Sequence, residues 1–312
     1  MKTGTHPDID LLAIVGHTAG GKTALAAALA RRLEGEIISA DSRQVYRGMD
    51  IGTGKDYADY TVDGISVPYH LIDIRNAGDK YSLFDYQEDF HAVYSDINSR
   101  GKFPILCGGT GLYVESVLRH FALSSVPEDE LFRKECESNT DAELIDQLSK
   151  YGPLHNKTDI SERGRLIRAL EIARHSRMKK DNSDTGNRLK YSVYAIRYER
   201  QERRERIARR LRDRLDNGMI DEVRDLLKTV PAADLMYYGL EYKYLALYCL
   251  GRLSFDDMFT QLNIAICQFA KRQMTWFRGM EKRGIPITWI EGELSLEKKV
   301  ETVLNNSASP RE

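Results

Sequence analysis

Only four of the 312 residues are cysteine (Cys107, Cys136, Cys249 and Cys267), and no two form a Cys-x-x-Cys pair. Their scatter excludes a disulfide framework and a cysteine zinc site, and it fits a reducing cytoplasm. Each reads as a small buried apolar side chain. No apolar run approaches the ~20 residues needed to cross a bilayer. Met1 to Asp10 has neither a long apolar run nor a cleavage-site pattern. A cytoplasmic protein with no membrane partner is expected. Net charge is missing too, at −1 for the whole chain, and there are no internal repeats.

The charge that is present is unevenly placed. From Glu162 to Arg214 there are eighteen Lys/Arg against eight Asp/Glu, a balance of +10, which leaves −11 for the remainder. A basic block on a neutral chain is what an anion-binding surface looks like. A salt-bridged helix face gives the same composition. At this length, one large α/β domain with an insertion, or two domains, is expected.

Leu11–Val15 is a short apolar run stopped by Gly16, the pattern of a buried strand. Ala24–Leu33 is helical in composition, and Glu36–Ala40 reads as a second strand ending at Asp41. Val67–Ile74 and Phe103–Cys107 read as further strands, with a helix over Phe84–Arg100 between them. Strands alternating with helices predict a doubly wound parallel sheet, whose ligands sit at the carboxyl ends of the strands. From Phe121 to Lys180 the pattern is helical, with breaks at Pro127 and Pro153, and Lys179–Asn187 is a polar loop. Tyr191–Ile196 resumes as a strand, and helices dominate from Arg200 to Lys282. The expected organisation is an α/β core of residues 1–120 and 190–312 with C-terminal helices, and a helical insertion over 121–189. Asn305–Glu312 is expected to fray.

Gly16-His-Thr18-Ala19-Gly20-Gly21-Lys22-Thr23 matches G-x-x-x-x-G-K-[ST] between a predicted strand and a predicted helix. Such a loop converges backbone N–H groups on phosphate oxygens at a helix N-terminus, a P-loop. Lys22 supplies a point charge to the outer phosphate, and the Thr23 hydroxyl is placed to hold Mg²⁺. The motif does not say which phosphate compound binds, and phosphoryl transfer by a P-loop kinase is one reading. Asp41, at the end of the second strand, falls in the same crevice; it serves as a base or metal organiser there, or it caps a helix near Gln44. Gly108-Gly109-Thr110 ends another strand, so Thr110 either caps the helix over Gly111–Leu118 or turns its hydroxyl into the crevice.

Five further blocks carry a resemblance. Ile37–Thr53, Pro68–Ile74, Gly108–Tyr113, Arg165–Glu171 and Ala270–Trp276 closely resemble, in order, the motifs of the tRNA dimethylallyltransferase family of bacterial type. The similarity extends from Leu11 to about Trp289. The resemblance implies a P-loop α/β core, with a helical insertion, that holds dimethylallyl diphosphate and treats its diphosphate as a leaving group. Asp41 matches the family's catalytic aspartate, and Thr110 its threonine near the target nucleotide. Lys243 aligns with a basic residue contacting diphosphate. Asp41, Ser42, Arg43, Gln44, Val45 and Tyr46, with Arg133, Gly164, Arg165, Leu166, Ile167, Arg168 and Gln268, match segments that touch tRNA. The implied acceptor is adenosine 37 in the anticodon stem-loop, with Mg²⁺ as cofactor and a monomeric enzyme.

The chain departs from that pattern at several positions. His17 stands where Pro is usual, Gly20 where Ser is common and Tyr69 where His is frequent; the first two leave every backbone donor of the loop in place. Tyr238 and Glu241 fall in the family's Arg-x-x-Gly-Tyr-Arg segment, where the first Arg and the Gly are lost. Cys267 replaces an Arg before Gln268. An adenylate dimethylallyltransferase acting on free nucleotide, a P-loop kinase and a non-catalytic RNA-binding protein are the alternatives. The insertion and the basic block favour tRNA over free nucleotide.

Overall fold

The computed structural model describes residues 8–121, 123, 126, 128–151, 162–178 and 189–308. The expected breaks at Pro127 and Pro153 and the loop at 179–187 lie outside them. The first part of the chain runs β1 (Leu11–Gly16), α1 (Lys22–Arg32), β2 (Gly35–Ser39), β3 (Thr61–Val62), β4 (Ile65–Ser66) and β5 (Tyr69–His70). It continues through α2 (Leu83–Ser99), β6 (Phe103–Gly108) and α3 (Gly111–Leu118). Next come α4 (Glu130–Glu137), α5 (Asp141–Ser149) and α6 (Arg163–Met178). The return runs through β7 (Tyr191–Arg197), α7 (Arg200–Asp216), α8 (Met219–Leu226), α9 (Ala232–Leu235), α10 (Leu240–Cys249), α11 (Phe255–Lys282), β8 (Ile287–Glu291) and α12 (Leu296–Ala308).

Six strands pair in the order β5-β2-β6-β1-β7-β8, and every pairing is parallel. β1 is central and buried along its whole length, which is why it reads as a continuous apolar run. Its residues alternate between two layers. Leu12 and Ile14 pack with Leu25 and Leu29 of α1 and Val303 of α12. Leu11, Ala13 and Val15 pack with Phe90 of α2, Val114 of α3 and Phe277 of α11. A third apolar cluster joins Val45, Tyr46 and Met49 to α7, α8, α10 and α11. Because these pairings are parallel, the chain leaves β1, β2 and β6 at the same, carboxyl end of the sheet, where their three following turns meet.

Three expectations are corrected. The strand predicted over Val67–Ile74 pairs only at Tyr69–His70, because Leu71 and Asp73 take left-handed backbone angles (φ 62° and 57°) that end extended pairing. No helix begins near Gln44; turns follow Asp41, so helix capping is not its role. Asn305 does not begin a frayed tail, since α12 continues to Ala308. β8 adds an edge strand that the sequence pattern had not suggested.

Residues 121–187 form a compact unit of their own. Asp129 caps α4, and Thr140 with Glu143 forms a capping box on α5. Cys136, Leu144, Leu148, Leu166 and Leu170 make its small core. At its edge the buried carboxylate of Glu171 accepts from Arg133 Nε (2.7 Å), Arg168 Nη1 (2.7 Å) and the Asp129 N–H (3.1 Å). Burial opposes ionisation of Glu171, but the two arginines hold its pKa down at about 2.

Candidate active site

The turn after β1 is where the phosphate-loop motif lies. Gly21 precedes α1 at φ 75°, a conformation that costs a Cβ-bearing residue energy. It turns the chain so that α1 begins at Lys22, with Thr23 in its first turn. Thr18, Ala19, Gly20, Gly21, Lys22 and Thr23 all line a cavity of about 610 Å³, whereas Gly16 stays at the strand end outside it. Lys22 Nζ donates to the His17 carbonyl at 2.8 Å. Burial pushes the Lys22 ammonium below the ordinary lysine range; a bound anion reverses that penalty.

Asp41 reaches the same cavity from the end of β2. One of its oxygens, Oδ1, accepts from the Arg43 N–H at 2.9 Å, which fixes the carboxylate in a tight turn. Thr110, at the end of β6, makes no side-chain cap on α3. Its Oγ1 instead accepts from the Ser42 N–H at 3.0 Å. The structure thus separates the two readings of Thr110: its hydroxyl faces the crevice and braces the Asp41 turn. Lys243, exposed on α10, also lines the cavity.

Of the residues matched to RNA contacts, Ser42, Arg43 and Gln44 line the cavity. Arg43 Nη1 donates to the Tyr237 carbonyl at 3.1 Å, and the Gln44 amide is engaged by Ser39 and Gly54. Val45, Tyr46 and Leu166 point their side chains into apolar cores, so any contact they make runs through the main chain. Arg133 and Arg168 are clamped by Glu171 in the insertion unit, whereas Gly164 and Arg165 are exposed there and Ile167 is half-buried. Gln268 is exposed on α11.

Several site residues escaped the sequence reading. Arg206, Arg210 and Arg214 lie four residues apart on α7, so one helix face carries all three to the cavity. Arg206 Nε donates to the Ala19 carbonyl at 3.2 Å. Arg210 Nη1 reaches Thr18 Oγ1 at 3.4 Å, and both Arg210 and Arg214 pair with Asp56. The basic block was legible, but not which of its arginines face inward. Two of the departures in the C-terminal part also find places. Tyr238 packs edge-on against Tyr46 with ring centroids 4.6 Å apart, and its hydroxyl accepts from the Gly78 N–H. Glu241 lines the cavity; burial raises its pKa, opposed by Arg214 and Arg210.

His17 is fully buried, with its Nδ1 2.6 Å from the Thr18 carbonyl, and burial lowers its pKa to about 4. The neutral ring is the folded form, so its stabilising effect is complete above the unfolded value near 6.5. It is lost as pH falls toward the folded value. At pH 5 the loss is about 2 kcal/mol. Urea melts at pH 7 and pH 5 should show a larger drop for the native protein than for His17→Asn, and equal drops would refute this.

The IPP transferase family model matches residues 44–280, and the isopentenyl transferase model matches residues 9–66. The chain is 54% identical over 301 residues to tRNA dimethylallyltransferase 1 of Parabacteroides distasonis, covering 95% of this chain and 98% of that protein. The chain belongs to the IPP transferase family. It is also 47% identical over 304 residues to tRNA dimethylallyltransferase 1 of Geotalea uraniireducens, which covers 97% of this chain and 99% of that one. The crystal structure of the tRNA isopentenylpyrophosphate transferase of Bacillus halodurans superposes with a TM-score of 0.68 at 34% identity, covering 96% of each chain. A eukaryotic dimethylallyltransferase acting on tRNA shares the fold at 20% identity, with a TM-score of 0.73 over 90% of this chain and 73% of its own. Membership makes this IPP transferase a P-loop α/β transferase. Among the described residues, no helix is long and apolar enough to cross a membrane.

Proposed function

We propose that this IPP transferase moves the dimethylallyl group of dimethylallyl diphosphate to N6 of adenosine 37 in tRNA and releases diphosphate. The observation that carries the reading is a single cavity with the phosphate loop on one wall and the Asp41 carboxylate on another. N6 is a poor nucleophile because its lone pair is delocalised into the ring. As the N6–C1 bond forms and the C1–O bond breaks, the N6 proton passes to Asp41. Negative charge that grows on the leaving diphosphate falls on Lys22, the loop N–H groups, Arg206, Arg210 and Lys243. Their effect is large because the cavity is partly shielded from water.

Thr23 fits a Mg²⁺ role, since its hydroxyl belongs to the first turn of α1 inside the cavity. Among the described residues no group of three or more His, Cys, Asp or Glu is placed to hold a metal. Thr23 would hold such an ion together with ligand oxygens and water, the usual habit of Mg²⁺. The ion would supply positive charge toward the leaving group.

RNA is the acceptor this rim suits. Arg209, Arg272 and Lys243 are exposed at the cavity and offer charge to phosphates, and Gln268 is exposed on α11 of the same unit. An anticodon loop is single-stranded, so a base can leave the stack at small cost. Incubating the protein with labelled dimethylallyl diphosphate and either AMP or unmodified tRNA tests the proposal. Label in tRNA is expected, and label in AMP alone would end the tRNA reading. Affinity for tRNA should also fall with salt. At a slope near −0.7 per single-strand phosphate contact, three contacts predict roughly a 20-fold loss between 50 and 200 mM. A flat salt profile in a filter-binding assay contradicts this.

A further inference from the structure

The β1–β6 ladder ends at the Val15–Gly108 pair. Beyond that pair the two strands diverge into the phosphate loop and the Thr110 turn. The gap is bridged by one side chain from far along the sequence. Gln273, buried on α11, accepts from the Thr18 N–H through Oε1 at 2.9 Å and donates through Nε2 to the Gly109 carbonyl at 2.9 Å. The two partners fix the amide orientation, because an N–H requires the oxygen and a carbonyl requires the nitrogen. A Cβ at Gly109 would lie 2.5 Å from Nε2, so the glycine leaves room for this contact.

The bridge continues into the other wall of the cavity. The Thr110 N–H donates to the Ala40 carbonyl at 3.0 Å, and Thr110 Oγ1 accepts from the Ser42 N–H. Asp41 lies between those two residues. A continuous set of hydrogen bonds therefore runs from the phosphate loop through Gln273 and Thr110 to the Asp41 turn. We propose that Gln273 is a positioning residue that sets the spacing between the diphosphate cradle and the Asp41 carboxylate. This rests on the reading above of what those two walls hold. In-line displacement needs the leaving group and the accepting base in register, and a misplacement of about 1 Å can cost on the order of 10²-fold in rate. Gln273 contributes no charge and has no chemistry of its own here; its role is geometric.

The test is prenylation of tRNA by Gln273→Leu, Gln273→Glu and Gly109→Ala, with melting temperatures measured alongside. Gln273→Leu and Gly109→Ala are expected to lower kcat about 10²-fold with KM for tRNA changed less than about threefold. Gln273→Glu separates positioning from mere packing. Its carboxylate can accept from Thr18 but repels the Gly109 carbonyl, whereas the protonated acid donates to that carbonyl and restores both bonds. The ratio of its kcat to that of the native protein should therefore rise as pH falls from about 8 to about 5.5. Asp41, Lys22 and Arg206 line the same cavity and are common to both proteins, so the ratio isolates position 273. A pH-independent ratio, or Gln273→Leu with native kcat, overturns the proposal while leaving the prenylation reading intact. Failure of the native protein to modify tRNA removes that reading, and this one with it.

Discussion

Asp41→Ala should lower tRNA prenylation by at least ~10²-fold while tRNA affinity is largely kept. A positioned general base is ordinarily worth ~10²–10⁴ in rate, or roughly 3–5 kcal/mol of barrier. The alanine also removes the acceptor for the Arg43 N–H, which adds a conformational cost to the chemical one. Asp41→Asn separates the two effects, because its amide oxygen keeps that hydrogen bond and the side-chain size while losing basicity. If Asp41 takes the N6 proton, Asp41→Asn is itself slowed by at least ~10²-fold in single-turnover assays, and Asp41→Ala is no faster. An active Asp41→Asn, or a loss of binding that matches the loss of turnover in both variants, assigns Asp41 to structure alone.

The second large effect is on stability, at a residue far from the phosphate loop in sequence. Glu222 on α8 accepts from the N–H groups of Asp50 (2.9 Å), Ile51 (2.7 Å) and Gly52 (3.0 Å), and from the Tyr242 hydroxyl at 2.8 Å. Three successive backbone donors converge on one carboxylate, so its charge replaces a helix or strand partner for that loop. Removing it strands all four donors, and charge-assisted bonds are each worth about 1.5–3 kcal/mol. Partial access of water tempers the sum, and Glu222→Ala is expected to cost about 3 kcal/mol in denaturant unfolding. Tyr242→Phe, which loses one of the four bonds, should cost about 1 kcal/mol. Equal destabilisation by the two variants would show that the backbone donors find other partners. The loop matters to the site because its end, Gly54, accepts the Gln44 amide, and Asp56 beyond it pairs with Arg210 and Arg214.

Much of this protein was legible from local pattern. β1, α1, β6 and α3 fall where apolar runs and glycine punctuation put them, because a strand buried on both faces and a glycine-rich turn each leave a mark within a few residues of sequence. Gly16–Thr23 was readable for the same reason: its chemistry is carried by consecutive residues. The third signal was Asp41, found because it closes a predicted strand of a sheet whose ligands gather at strand ends.

Contacts between distant segments left no such mark. Thr110 on Ser42, Gln273 between Thr18 and Gly109, and Glu222 beneath residues 50–52 are hydrogen bonds across long sequence separations, set by how the helices dock. Arg133 and Arg168 look like free cations in sequence, yet a buried Glu171 engages both. The sequence by itself determined the inner strands of the sheet, the phosphate loop and the carboxylate opposite it, since each depends on neighbours along the chain. Only the tertiary structure decided which arginines face the cavity and which side chains hold its two walls apart, because that depends on which helix faces pack inward.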